Sequence, residues 1–175
     1  RTNAKFSDGT PLTVEDVIAS LEYNAKPGST SAFAYAYASV ASIKKTAADE
    51  VTIKLKDPNS TFAWTVSPST LLITSAKFLA ANVGKIGTPQ TKLLGTGPYT
   101  ITEFVPDSHV SLQRNDTWWG PRPAAKAIRM DFVTDPATRF LALRQKSFGV
   151  PMNLPPEQLD HWSALDGVDV EVTTD

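Results

Sequence analysis

The sequence predicts a mixed α/β fold, and three observations carry that expectation. Apolar residues recur with a helical period at Val14, Val17, Ile18 and Leu21. The stretch Val51–Lys56 instead alternates apolar and polar residues, the two-residue period of a half-buried strand. Both signals return later, in the alternation at Ile128–Val133 and the helix start at Asp135-Pro136.

Taken in order, residues 1–12 read as an extended arm and a turn, with Ser7-Asp8-Gly9-Thr10-Pro11 supplying the turn chemistry. Thr13 is a helix cap, because Asp16 stands three positions on and can close a capping box. The apolar stripe behind it defines a helix of about 11 residues, stopped by Pro27-Gly28. In Ser31–Ala41 the aromatics Phe33, Tyr35 and Tyr37 alternate with alanines. An extended backbone would turn all three rings to one side, and a helix would scatter them over two faces. The Val51–Lys56 strand ends at Asp57-Pro58, and Ser75–Asn82 is a short helix. Tyr99–Val105 and His109–Arg114 form a hairpin through Pro106-Asp107-Ser108. Asp135 caps the next helix, which carries Phe140, Leu141 and Leu143. Pro155–Leu165 is a last helix bearing Leu159 and Trp162, and Val168–Val172 a terminal strand.

Composition bounds the function. A chain of 175 residues can bury roughly 70% of its unfolded surface, enough for one core in one or two units. With 41% hydrophobic and 20% charged residues it belongs with globular proteins. The net charge is −1 and Lys44-Lys45 is the only basic doublet, so nucleic acid is not an expected partner. No cysteine is present, which excludes disulfides, zinc–thiolate sites and cysteine nucleophiles. No apolar run approaches the 18 or so residues of a membrane span. The first residue is Arg1 and no secretion signal is visible, as expected of a processed protein or a fragment.

The reactive residues are sparse. His109 and His161 lie far apart with no metal-ligand spacing around either, so no metal site is expected. No G-x-S-x-G elbow supports a serine hydrolase. Gly95-Thr96-Gly97-Pro98 lacks the Lys-Ser/Thr of a phosphate loop, and Pro98 removes an amide; it reads as a tight turn into the strand at Tyr99. Asp131 and Asp135 are near one another, but Asp135 already serves as a cap. Trp118-Trp119 before Gly120-Pro121 either plugs a core edge or lines a ligand surface.

The ordered set of local patterns is more specific. Lys5–Val17 (KFSDGTPLTVEDV) resembles the opening "KFSDGTPLTAEDV" of family 5 extracellular solute-binding proteins. Gly95–Tyr99 is similar to that family's "GTGPY", and Arg114-Asn115 with Trp118-Trp119 to its "RNPxYW". Asp135, Arg139 and Leu143 fit "DxxxRxxAL", and Asn153–Leu159 fits a common downstream stretch. The sequence departs from the pattern at Lys146-Ser147-Phe148-Gly149, where "GExD" is usual, and at Asp116, where proline is usual.

The resemblance implies a two-lobed periplasmic-binding-protein-like fold, with residues 1–175 as part of the first lobe and the second lobe absent. It implies the substrate-binding component of an ABC-type importer rather than an enzyme. Such a protein works in the periplasm or at the outer face of the cell membrane, sometimes as a lipoprotein. It captures a small solute, most commonly an oligopeptide, and delivers it to a membrane permease. No cofactor is implied. In relatives the segment after the first helix supplies one wall of the cleft, so the resemblance implies Phe33, Tyr35 and Tyr37 as ligand-binding candidates; a core role for the same rings stands beside that reading. Two other classes are weighed: a carboxylate-dependent hydrolase of peptides or sugars, and a structural adhesion module. Sheet edges left unpaired in a partial lobe are expected to favour dimers.

Overall fold

Thr13 and Asp16 start the first helix as their spacing predicts. In the computed structural model, which describes residues 3–67, 70–91, 93–152 and 154–171, helix α1 runs Val14–Ala25. The Asp16 amide donates to Thr13 Oγ1 at 3.4 Å, while the Thr13 amide and hydroxyl donate to Asp16 Oδ2 at 2.9 and 2.7 Å. The arm before it folds back on itself, with Lys5 bridged to Pro11 and the Phe6 ring 1% exposed.

Behind α1 the chain makes a 3₁₀ turn at Ala34–Tyr37 and a two-stranded antiparallel sheet, β1 (Val40–Ala47) and β2 (Glu50–Leu55). Helix α2 (Phe62–Val66) and helix α3 (Ala76–Ala81) follow. Leu21, Ala36, Tyr37 and Val66 form the core, with Val17, Val40, Ile43, Ile53 and Phe62 packed against it. The polar side of α1 holds α3. Asp16 Oδ1 accepts from the Ala76 amide at 2.8 Å, and Ser20 Oγ donates to the Thr74 carbonyl and accepts from the Thr74 amide, both at 3.0 Å.

The hairpin also forms. Strands β3 (Tyr99–Val105) and β4 (His109–Arg114) pair antiparallel, with β5 (Ala127–Asp131) on the far side of β4. Asp107 takes φ +58 at its tip, a left-handed conformation that aspartate tolerates better than most residues. Among the described residues, β1, β2, β3 and β5 each have an outer edge without a strand partner, the condition on which expected self-association rests.

These elements, apart from Asp131 at the end of β5, belong to a unit spanning residues 1–130, and residues 131–175 form a second. The second unit contains α4 (Pro136–Arg144), a 3₁₀ turn at Pro156–Gln158 and α5 (Leu159–Ser163). Asp135 caps α4, its Oδ1 accepting the Thr138 amide at 2.7 Å. The helix ends in a two-bond closure: Lys146 N–H donates to the Leu143 carbonyl at 2.8 Å and Ser147 N–H to the Ala142 carbonyl at 2.9 Å. That closure needs a left-handed residue, and Lys146 adopts it with φ +56. Trp162, fully buried, packs edge-on against Phe140, which also stacks on His161.

One expectation needs correction. Residues 168–171 are irregular, because no strand among the described residues pairs with them and an unpaired ladder has nowhere to place its amides; Val172 lies outside the described residues. The 31–41 segment, for which the sequence leaves extended and helical backbone both open, turns as 3₁₀ at Ala34–Tyr37 and only its end enters β1.

Candidate ligand-binding surface

A relay of small polar groups decides the shape of the aromatic segment. Ser29 Oγ donates to the Tyr23 carbonyl at 2.7 Å and accepts from the Ser31 amide at 3.1 Å. Ser31 Oγ donates to Asn24 Oδ1 and accepts from the Phe33 amide at 3.1 Å. The chain is thereby pinned to the end of α1 and turned before it can extend. At three residues per turn, positions 33, 35 and 37 fall about 120° apart around the axis, so the rings spread instead of aligning.

The three candidates therefore have different fates. Tyr37 is 1% exposed in the core, and its hydroxyl donates to the Thr70 carbonyl at 2.9 Å. Burial holds its phenol above the ordinary tyrosine range. Phe33 is half-buried. Tyr35 is 70% exposed, a large ring offered to solvent from a tethered turn. The structure thus separates Tyr35 from Tyr37, where strict alternation would have kept them together.

Trp64 is a further exposed aromatic that the sequence reading missed. It stands on α2, which packs against the 3₁₀ turn, and is 80% exposed. The signal was present: Phe62 and Val66, four apart, turn inward, which leaves position 64 on the outer side of the helix. Tyr35 and Trp64 each offer rigid contact area with two side-chain torsions to order, the property that suits aromatics to ligand surfaces.

The Gly95–Pro98 turn has a different job. Its four successive carbonyls accept from the Ser7 amide at 2.9 Å, Trp119 Nε1 at 3.2 Å, Asn115 Nδ2 at 3.3 Å and the Asn115 amide at 2.8 Å. A phosphate cradle presents amides, whereas this turn uses its carbonyls for structure. Trp118 and Trp119 sit beside it, half-buried, with ring centroids 5.2 Å apart. Trp118 also lies over Gly120, where an added Cβ would come within 2.6 Å of the ring. The tryptophan pair is thus packed against its own turn and hydrogen-bonded to the Gly95–Pro98 turn.

His109 is buried between Ser108 Oγ at Nδ1, 2.9 Å away, and Glu103 Oε2 at Nε2, 3.0 Å away. That hydrogen bond holds the exposed Glu103 carboxyl below the usual carboxylate range. Among the described residues, no group of three or more His, Asp or Glu side chains is placed to hold a metal ion. Asp135 is committed to its cap, so the Asp131–Asp135 pairing considered for hydrolysis has one member already engaged.

Comparison with known proteins adds to this geometry. The chain is 33% identical over 150 residues to a Brucella ovis protein named "Putative ABC transporter peptide-binding protein". That match covers 81% of this chain and 27% of the relative, so the chain spans about a quarter of the relative's length. Among solved structures it is similar to MoaA of A. tumefaciens R10 in complex with mannopinic acid, with TM-score 0.80 and 24% identity, over 94% of this chain and 33% of that one. It is also similar to the oligopeptide-binding protein AppA of Bacillus subtilis in complex with a nonapeptide, with TM-score 0.77 and 19% identity, over 95% and 33% of the two chains. Both structural likenesses bear on the fold alone: a mixed α/β fold like part of a periplasmic-binding-protein architecture. The family described as "Bacterial extracellular solute-binding proteins, family 5 Middle" matches residues 1–175, from end to end. The chain belongs to the family 5 bacterial extracellular solute-binding proteins.

Proposed function

We propose that the complete protein is the substrate-binding component of an ABC-type importer, that its ligand is a peptide, and that it works outside the cytoplasmic membrane. The observation that carries this reading is the 33% identity, over 81% of the chain, to a relative named for peptide binding in ABC transport. In this role the protein holds its ligand without turnover and passes it to a membrane permease. The present chain contributes part of one lobe, and closure of two lobes encloses the ligand.

Within this lobe, Tyr35 is the ring that meets the ligand, with Phe33 beside it and Tyr37 as the buried post that holds the turn. Support comes from their exposures: 70% for Tyr35 against 1% for Tyr37. The test uses the complete protein and titration calorimetry against synthetic peptides of two to nine residues. Saturable binding without peptide cleavage is expected. No binding across the series overturns the peptide ligand, and cleavage of the added peptides overturns the importer reading. Given a peptide that binds, Tyr35→Ala should lose about tenfold in affinity, roughly 1.4 kcal/mol, with its unfolding midpoint unchanged. Parent-like affinity in that variant would move the ligand wall elsewhere while leaving the importer reading intact.

A further inference from the structure

We draw no further inference here: the strongest candidate, the open cavity of about 1350 Å³ within residues 143–171, where Phe148, Met152, Leu159 and Trp162 stand beside charged groups such as Arg144 and Asp166, carries nothing because nothing in the structure shows what covers it.

Discussion

Asn115 holds Gly97 from 18 residues away: its side-chain amide donates to the Gly97 carbonyl at 3.3 Å, and its backbone amide to the neighbouring Pro98 carbonyl at 2.8 Å. The same side chain accepts from the amide and hydroxyl of Thr117, at 3.1 and 2.8 Å. Two segments that look like independent motifs, Gly95–Tyr99 and Arg114–Trp119, are thus two sides of one hydrogen-bonded joint. Asn115→Ala should destabilise the chain by about 1–3 kcal/mol, since Asn115 is buried and its partners would lose their bonds. Urea unfolding measures this; an unchanged midpoint would mean that water replaces the side chain.

The Tyr37 hydroxyl offers a cleaner test, because Tyr37→Phe keeps the ring. The loss of one hydrogen bond to the Thr70 carbonyl should cost about 0.5–1.5 kcal/mol, or more if that carbonyl stays dry. In the complete protein, Tyr37→Phe should leave peptide affinity within about twofold of the parent. A large affinity loss at unchanged stability would instead give this hydroxyl a direct part in binding.

Lys146 occupies a backbone position made for glycine. Its φ of +56 closes α4, in a place where the family pattern has glycine and this sequence does not. A left-handed non-glycine residue costs about 1–2 kcal/mol, and the extra freedom of glycine in the unfolded chain returns about half of that. Lys146→Gly should therefore stabilise the chain by about 0.5–1 kcal/mol in thermal unfolding, while Lys146→Ala does not. A destabilised Lys146→Gly variant would show that the lysine charge at the helix C-terminus outweighs the strain.

Acid should weaken the fold in a defined window. Asp8 is held below the usual carboxylate range by the Thr10 hydroxyl and amide, Glu15 by Lys45 and Glu103 by His109. Asp116 is lowered by Arg114, and Asp135 by Thr138. A carboxyl with a lowered folded-state pKa binds protons more readily when unfolded. Its contribution is present above the unfolded value, about pH 4, and is lost as pH falls through the folded one. Each group is exposed, so each contribution is small. The unfolding midpoint should be flat from about pH 7 to 5 and fall below about pH 4, and Asp116→Asn should shallow that fall. A midpoint that rises between pH 4 and 3 would contradict the assignment.

Features whose determinants lie within a few residues were legible in the sequence. Thr13 with Asp16, Asp135 with Thr138, and the turn at Pro106-Asp107-Ser108 close hydrogen bonds over three positions, so residue type and spacing define them. The alternation at Val51–Lys56 likewise matches β2, which ends one residue earlier at Leu55. Strand β1 and helix α2 were not legible in the sequence, because β1 carries a weak pattern and α2 is only five residues long. The candidate site was half legible: the aromatic cluster stood out, but not which rings face water.

The sequence by itself determined the mixed α/β character, the helix starts, the hairpin and the family resemblance. Tertiary structure alone decided that Ala34–Tyr37 turns as 3₁₀, that Tyr37 is buried while Tyr35 is exposed, and that residues 168–171 form no strand. The reason is distance along the chain. A cap is satisfied by its own neighbours, whereas the Tyr37 hydroxyl finds its acceptor 33 residues away at Thr70, and a strand exists only where another strand accepts its amides.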